Sequence, residues 1–198
     1  YTIDESNKSV VGIKKSTSNF NGTPWQINKS QNLQNKIRFD RAFKEVLVDN
    51  IDMVYDKEEI LLNAVIFDSD NQNIDLKFKN VDLAKVTPSF KNLKLGGTVN
   101  GSLNIAEVES IFFPKSSLNI DDFKVNDFNL GSFKSDIQGN KSLTNYDINL
   151  SLKDYTNETL FVKGSFDVSG DNPNLALDVS FNDFILNPLN PFGADVIT

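Results

Sequence analysis

Apolar residues in this chain recur at every second position, and that spacing restricts the fold more than any motif does. Ile74, Leu76 and Phe78 alternate with Asp75 and Lys77; Ile148, Leu150 and Leu152 alternate with Asn149 and Ser151. Leu118 and Ile120 lead to Phe123 and Val125 and then to Phe128 and Leu130. Leu160, Val162, Phe166 and Val168 surround Gly164, and Leu175, Leu177, Val179 and Phe181 follow. A period of two places alternate side chains on opposite faces of a strand, one apolar and one wetted. Asn21-Gly22, Gly96-Gly97, Gly139-Asn140 and Ser169-Gly170-Asp171-Asn172-Pro173 break the runs with turn chemistry. The expected product is a series of short antiparallel strands, an arrangement that tolerates water on one face.

Helical spacing is scarce. Phe39, Ala42, Phe43, Val46 and Leu47 fit a short amphipathic helix, but they fit better as Phe39 ending one strand and Val46 and Val48 opening the next. Between Leu83 and Phe90, Pro88 limits any helix to a turn or two.

The composition removes most chemistry. With no His and no Cys, the chain has no Ser-His-Asp or Cys-His nucleophile, no zinc finger and no disulfide framework. An enzyme is not expected, nor a cofactor or a metal site. The 20 basic and 27 acidic residues leave a net charge of −7, which disfavours nucleic acid and anionic headgroup surfaces, since both select for Lys and Arg. At 198 residues with 39% hydrophobic content, the chain is of ordinary domain size and rich enough in apolar side chains to fold. No apolar run is long enough for a membrane-spanning helix, and no charged-then-apolar leader opens the sequence. Because the first residue is Tyr1, the sequence reads as a slice of a longer protein.

Two short patterns recur. Phe78, Val81, Leu83 and Pro88 return as Phe181, Phe184, Leu186 and Pro191, and Val99, Gly101, Leu103 and Ile105 return as Val162, Gly164, Phe166 and Val168. Such recurrence suits an architecture built by reiteration along an axis. The inward Phe, Leu, Ile and Val then either fill the space between two packed sheets, as in a β-sandwich, or line a concave face that receives an apolar ligand. Alternation alone does not separate these readings.

Other candidate sites fail on their own terms. Asp68, Asp70 and Gln72 have the spacing of a calcium loop, but Asn73 and Lys79 stand where Gly and Glu are needed. Asp121-Asp122 and Asp56-Lys57-Glu58-Glu59 read as solvated strand ends. Gly97 and Gly101 share a strand face, as a bulge or as room left for a ligand. Trp25, after Pro24, is expected to anchor a sheet.

The stretch Ile74-Asp75-Leu76-Lys77-Phe78-Lys79-Asn80-Val81-Asp82-Leu83-Ala84-Lys85-Val86-Thr87-Pro88, with the later Leu95-Gly96-Gly97-Thr98-Val99-Asn100-Gly101-Ser102-Leu103-Asn104-Ile105, resembles the TamB branch of the AsmA-like proteins. The segments Leu118-Asn119-Ile120-Asp121-Asp122-Phe123 and Phe184-Ile185-Leu186-Asn187-Pro188-Leu189-Asn190-Pro191-Phe192-Gly193 are similar to the TamB-domain proteins of Bacteroidota. The likeness runs over roughly residues 20 to 198 and rests on the order of the patterns together. It implies an internal segment of a long protein of the periplasm and cell envelope, held in the inner membrane by an N-terminal helix that this segment lacks. It implies an all-β fold in which an elongated antiparallel sheet forms an open groove, the β-taco, with at most one or two short helical turns. It further implies passive conduction of phospholipid acyl chains between the two membranes, and an outer-membrane barrel partner of the TamA or BamA type.

The physics of such a path needs no chemical step. Exposing a lipid tail costs about 0.8 kcal/mol per CH₂, so an apolar wall with a wetted outer face is sufficient. On this reading residues 1–198 form a single reiterated segment, with 1–70, 71–115 and 116–198 as candidate sub-units. The side chains expected to line the groove are Leu76, Phe78, Val99, Leu103, Ile120, Val125, Phe128, Leu150, Phe166, Val179 and Phe181. One bulge inverts the facing of every residue beyond it in that strand. The alternative functions are an assembly module that pairs its sheet edge with client strands of outer-membrane barrels, and a structural β-spacer.

Overall fold

The computed structural model describes residues 2–67, 71–87, 93–108, 111–126, 128–140, 144–154, 157–170, 172–184 and 187, with the backbone alone at 108 and 111–114. Asp68, Asp70, Pro88, Phe90, Leu186 and Pro191 lie outside the described residues. In chain order the elements are β1 (Thr2–Ile3), β2 (Ser9–Gly12), β3 (Ser16–Phe20), β4 (Thr23–Ile27), β5 (Lys36–Phe39), β6 (Glu45–Tyr55), β7 (Glu58–Phe67) and β8 (Asn71–Asp82). There follow α1 (Leu83–Val86), β9 (Leu95–Val108), β10 (Ile111–Val125), β11 (Phe128–Gly139), β12 (Asn145–Asp154), β13 (Asn157–Asp167) and β14 (Asn174–Phe181).

These strands make one antiparallel sheet that does not close into a barrel, in the order β1-β2-β5-β6-β7-β8-β9-β10-β11-β12-β13-β14, with the β3–β4 hairpin joined to β6 through β4. From β5 onward each strand neighbours its successor. The protein is thus all-β, as the alternation predicts, and α1 is a single helical turn. Asp82 Oδ1 accepts from Ala84 N–H at its start, and Thr87 N–H donates to the Leu83 carbonyl at its end.

The fold divides into two compact units, residues 1–81 with 101–116 and residues 82–100 with 117–198. They interleave in sequence because β9 and β10 each contribute one part to either unit.

Local chemistry decides the doubtful segment near residue 40. Phe39 ends β5 and β6 begins at Glu45. The Asp40 carboxylate accepts from the N–H groups of Lys44 (2.7 Å) and Glu45 (3.2 Å), which closes a turn where a helix would need its own carbonyls. Phe43, at φ 53°, stacks on Phe39 with ring centroids 4.7 Å apart. At the β3–β4 tip, Asn21 and Gly22 adopt φ 49° and 76° between the paired Phe20 and Thr23, the left-handed pair that a two-residue hairpin requires.

Inside the long strands the left-handed residues have another role. In β6, Val48 pairs with Ala64 but Ile51 pairs with Leu62, so two residues oppose Asn63 alone. Asn50 takes φ 51° there and its N–H donates to Asn63 Oδ1. This is a β-bulge. It moves the apolar positions from Val46 and Val48 to Ile51 and Met53 while keeping them on one side of the sheet. Asn80 (φ 53°) sits between Phe78 and the buried Val81, and Asp122 (φ 51°) between the buried Ile120 and Phe123. Asn and Asp tolerate this conformation better than other residues with a Cβ. Asp183 (φ 50°) stands between Phe181 and Phe184 as Asn80 stands between Phe78 and Val81, so the recurring pattern is accompanied by a recurring backbone conformation.

Candidate functional site

Cross-strand partners lie on the same side of a sheet, so register assigns side chains to faces. In the second unit one face collects Phe133, Ser135 and Ile137 from β11, Tyr146, Ile148, Leu150 and Leu152 from β12, Leu160, Val162, Gly164 and Phe166 from β13, and Leu175, Leu177, Val179 and Phe181 from β14. Apart from Ser135 and Gly164 this is an unbroken apolar field. The opposite face carries Lys134, Asp136 and Gln138, then Asp147 and Asn149, then Lys163, Ser165 and Asp167, then Asn174, Asp178 and Ser180, with Phe161 and Ala176 as apolar exceptions.

Exposure across the apolar face is uneven. Tyr146 is 1% exposed, and Leu152 and Val162 are buried. On β14 the same face is open: Leu175 is 55% exposed, Leu177 44%, Val179 47% and Phe181 62%. Tyr146 lies 6.4 Å from Phe166 between ring centroids, and Phe123 of β10 lies 5.4 Å from Phe133. Burial holds the Tyr146 phenol above its ordinary pKa. Full cover of a side chain as large as Leu or Phe contributes about 1.5–3 kcal/mol, so the β14 row retains a drive to take up apolar surface.

The first unit has its own apolar face. Leu76 and Phe78 pair with Leu62 and Ile60, Ala64 with Ile74, and Met53 with both Ile60 and Ile27. Trp25 is fully buried, 6.0 Å from the Tyr55 ring, and so acts as the anchor expected of it. Polar groups interrupt this face: Glu58 is buried, and Gln72 donates to the buried Glu107 carboxylate.

The residues picked from sequence as groove lining divide between the units. Leu76, Phe78 and Leu103 belong to the first and are half-buried. Val99, Ile120, Val125, Phe128, Leu150, Phe166, Val179 and Phe181 belong to the second. Val99 and Ile120 are buried, Val125, Leu150 and Phe166 are half-buried, and Phe128, Val179 and Phe181 are exposed. Register places Leu150, Phe166, Val179 and Phe181 on one face. Phe133, Ile137 and Tyr146 share that face and were not picked. Ser135 breaks the apolar run of β11, whereas Tyr146 stands two before Ile148 and continues the alternation of β12 that the sequence shows.

Gly97 does not leave room for a ligand. At φ 122° a Cβ there would sit 2.8 Å from the Asp121 carbonyl oxygen and from Ile120 Cγ2, so a neighbouring strand already fills the space. Asp121 and Asp122 are exposed and lie within β10, where Asp122 takes a left-handed backbone (φ 51°). Among the described residues no group of three or more Asp or Glu is placed to hold a metal ion, and no helix is long and apolar enough to cross a membrane. Comparison with models of protein families, with curated proteins and with solved structures finds no match to this chain.

Proposed function

We propose that this chain is a lipid-conducting segment of a TamB/AsmA-like envelope protein, with an apolar sheet face that carries phospholipid acyl chains across the periplasm. One observation carries the reading: the apolar face of β11 to β14 ends in a row of four exposed large side chains, Leu175, Leu177, Val179 and Phe181, on a strand whose other face is polar. A monomeric sheet with no apolar cargo gains little from keeping such a row in water. Acyl chains need a continuous hydrocarbon surface and no reacting group, and a chain with neither His nor Cys supplies that. The diffuse negative charge fits a wall that does not retain anionic headgroups. In the longer protein, an inner-membrane anchor and a TamA- or BamA-type barrel would lie at the two ends of the path.

Extraction of the purified chain with organic solvent, followed by mass spectrometry, is expected to recover phospholipid at near-stoichiometric amount. Leu177→Asp is expected to lower that recovery at least several-fold with an unchanged urea midpoint, because Leu177 is already half in water. Lipid-free wild-type protein from a membrane-containing expression host would overturn the proposal.

A second reading rests on the edge of β14, which among the described residues pairs with β13 alone. Such an edge accepts a further strand, as an assembly module for outer-membrane barrels would require. Crosslinks from β14 to barrel precursors, without lipid in the extract, would favour it.

A further inference from the structure

Charge is unevenly distributed along this chain. Residues 6–39 carry six basic side chains and no acidic one, in a chain whose net charge is −7. Lys8 is paired with Glu45 and Arg38 with Asp49. Lys14, Lys15 and Lys29 are exposed, and none has a carboxylate partner among the described residues. Together they give the first unit an electropositive rim in an otherwise acidic protein.

The same rim holds an open strand edge. β3 pairs with β4 alone among the described residues, and all five of its residues are exposed. The two-residue turn closes on Phe20 and Thr23, a pair that exchanges both of its hydrogen bonds. Bonded pairs alternate with non-bonded ones, so Ser18 and Ser16 also bond to β4, while Thr17 and Asn19 direct their N–H and C=O groups outward. Pro24, which has no N–H to give, stands opposite Asn19, at a pair that needs none. Edge strands are ordinarily guarded by a charge, a Pro or a bulge within them. β3, with the sequence Ser16-Thr17-Ser18-Asn19-Phe20, has no such guard inside it.

These features select one class of partner. Outward N–H and C=O groups at alternate residues match the spacing of another extended backbone, which neither a nucleic acid nor a bilayer surface provides. Lys14 and Lys15 directly precede β3 and, with the exposed Leu33, border a cleft of about 630 Å³, so acidic side chains are favoured at that end. Phe20, 42% exposed at the other end of the strand, favours an apolar one. We propose that β3 is a strand-addition site for an extended, acidic polypeptide segment, which bonds to Thr17 and Asn19 and places carboxylates beside Lys14 and Lys15. β3 belongs to the first unit and β14 to the second, so this edge is distinct from that of β14, and the assignment is independent of whether the chain carries lipid.

The test is amide hydrogen exchange, read by NMR on the 198-residue chain, with four separate additions: a short peptide of alternating Glu and Val, the matching peptide of Lys and Val, oligothymidylate, and phosphatidylglycerol vesicles. The Glu peptide is expected to slow exchange at Thr17 and Asn19 by at least about tenfold, a signature that charge attraction without backbone pairing does not produce. The other three additions are expected to leave it unchanged. Lys14→Glu combined with Lys15→Glu is expected to weaken binding of the Glu peptide at least about tenfold. Asn19→Pro removes one outward N–H at a position where an edge strand tolerates Pro. It is expected to abolish the slowing at Thr17 with the spectrum outside the β3–β4 hairpin unchanged. The proposal is overturned if the Glu peptide leaves exchange in β3 unchanged, if the Lys peptide slows it equally, if only oligothymidylate or vesicles bind, or if both variants bind the Glu peptide as the wild type does.

Discussion

Tyr146 shows how much one side chain on the apolar face depends on its surroundings. Its ring is covered by the sheet, and burial keeps its phenol protonated beyond the ordinary value of about 10. The folded chain therefore holds a proton that the unfolded chain releases. The associated stability is whole below the unfolded value and is lost as pH rises through the folded one. Urea midpoints followed from about pH 8 to about pH 11 are expected to fall at the alkaline end, and Tyr146→Phe is expected to flatten part of that fall. An unchanged slope in the variant would place the alkaline loss elsewhere. At this scale the sequence was only partly legible. Counting in twos gives the facing of Leu150, Phe166, Val179 and Phe181 within their strands, and it gives that of Tyr146 too, two residues before Ile148, although Tyr146 was not picked. Nor could counting tell a buried residue such as Leu152 from an exposed one such as Leu177, since both satisfy the same alternation.

Among the strands, left-handed residues mark where counting in twos fails. The change from even to odd apolar positions after Phe78 and after Ile120 is visible in the sequence, each time beside an Asn or Asp that takes a left-handed backbone. That coupling of a parity change to Asn or Asp is the signal that could have placed the left-handed residues from sequence. Asp122 is exposed, so substitution there would ordinarily be neutral. Its conformation makes it otherwise. Asp122→Val is expected to cost about 1–2 kcal/mol, since a β-branched residue resists this geometry, whereas Asp122→Gly is tolerated and Lys124→Val, equally exposed, stays within about 0.5 kcal/mol. Equal midpoints for the two Val variants in urea unfolding would show that β10 does not depend on its left-handed residue. The pairing of both β4 and β5 with β6, by contrast, was not legible, because between them Asn28 N–H donates to the Asp52 carbonyl and Asn35 Oδ1 accepts from Asp52 N–H, and Asn is common throughout the chain.

For the whole molecule, an antiparallel all-β chain follows from short turns between alternating segments, and that much was readable in the sequence; the strand order from β5 onward is what the structure adds. Whether the apolar face is filled or open was not readable there, because a filled sandwich and an open sheet require the same residues. Order has a mechanical consequence. β14 pairs with β13 alone among the described residues, so a chain ending after Gly170 is expected to keep the other strands, as nearest-neighbour stacking allows. Circular dichroism and amide dispersion should then report a sheet shortened by one strand, with Leu160, Val162 and Phe166 newly exposed. Global unfolding of the truncated chain would mean that β14 holds more than its neighbour.

A meander of this kind also has no topological memory. A duplicated hairpin inserted between two others needs no rethreading, because each newcomer settles beside its parent and passes the same pattern to the next. The number of strands in such a sheet is therefore open to adjustment by copying errors in a gene.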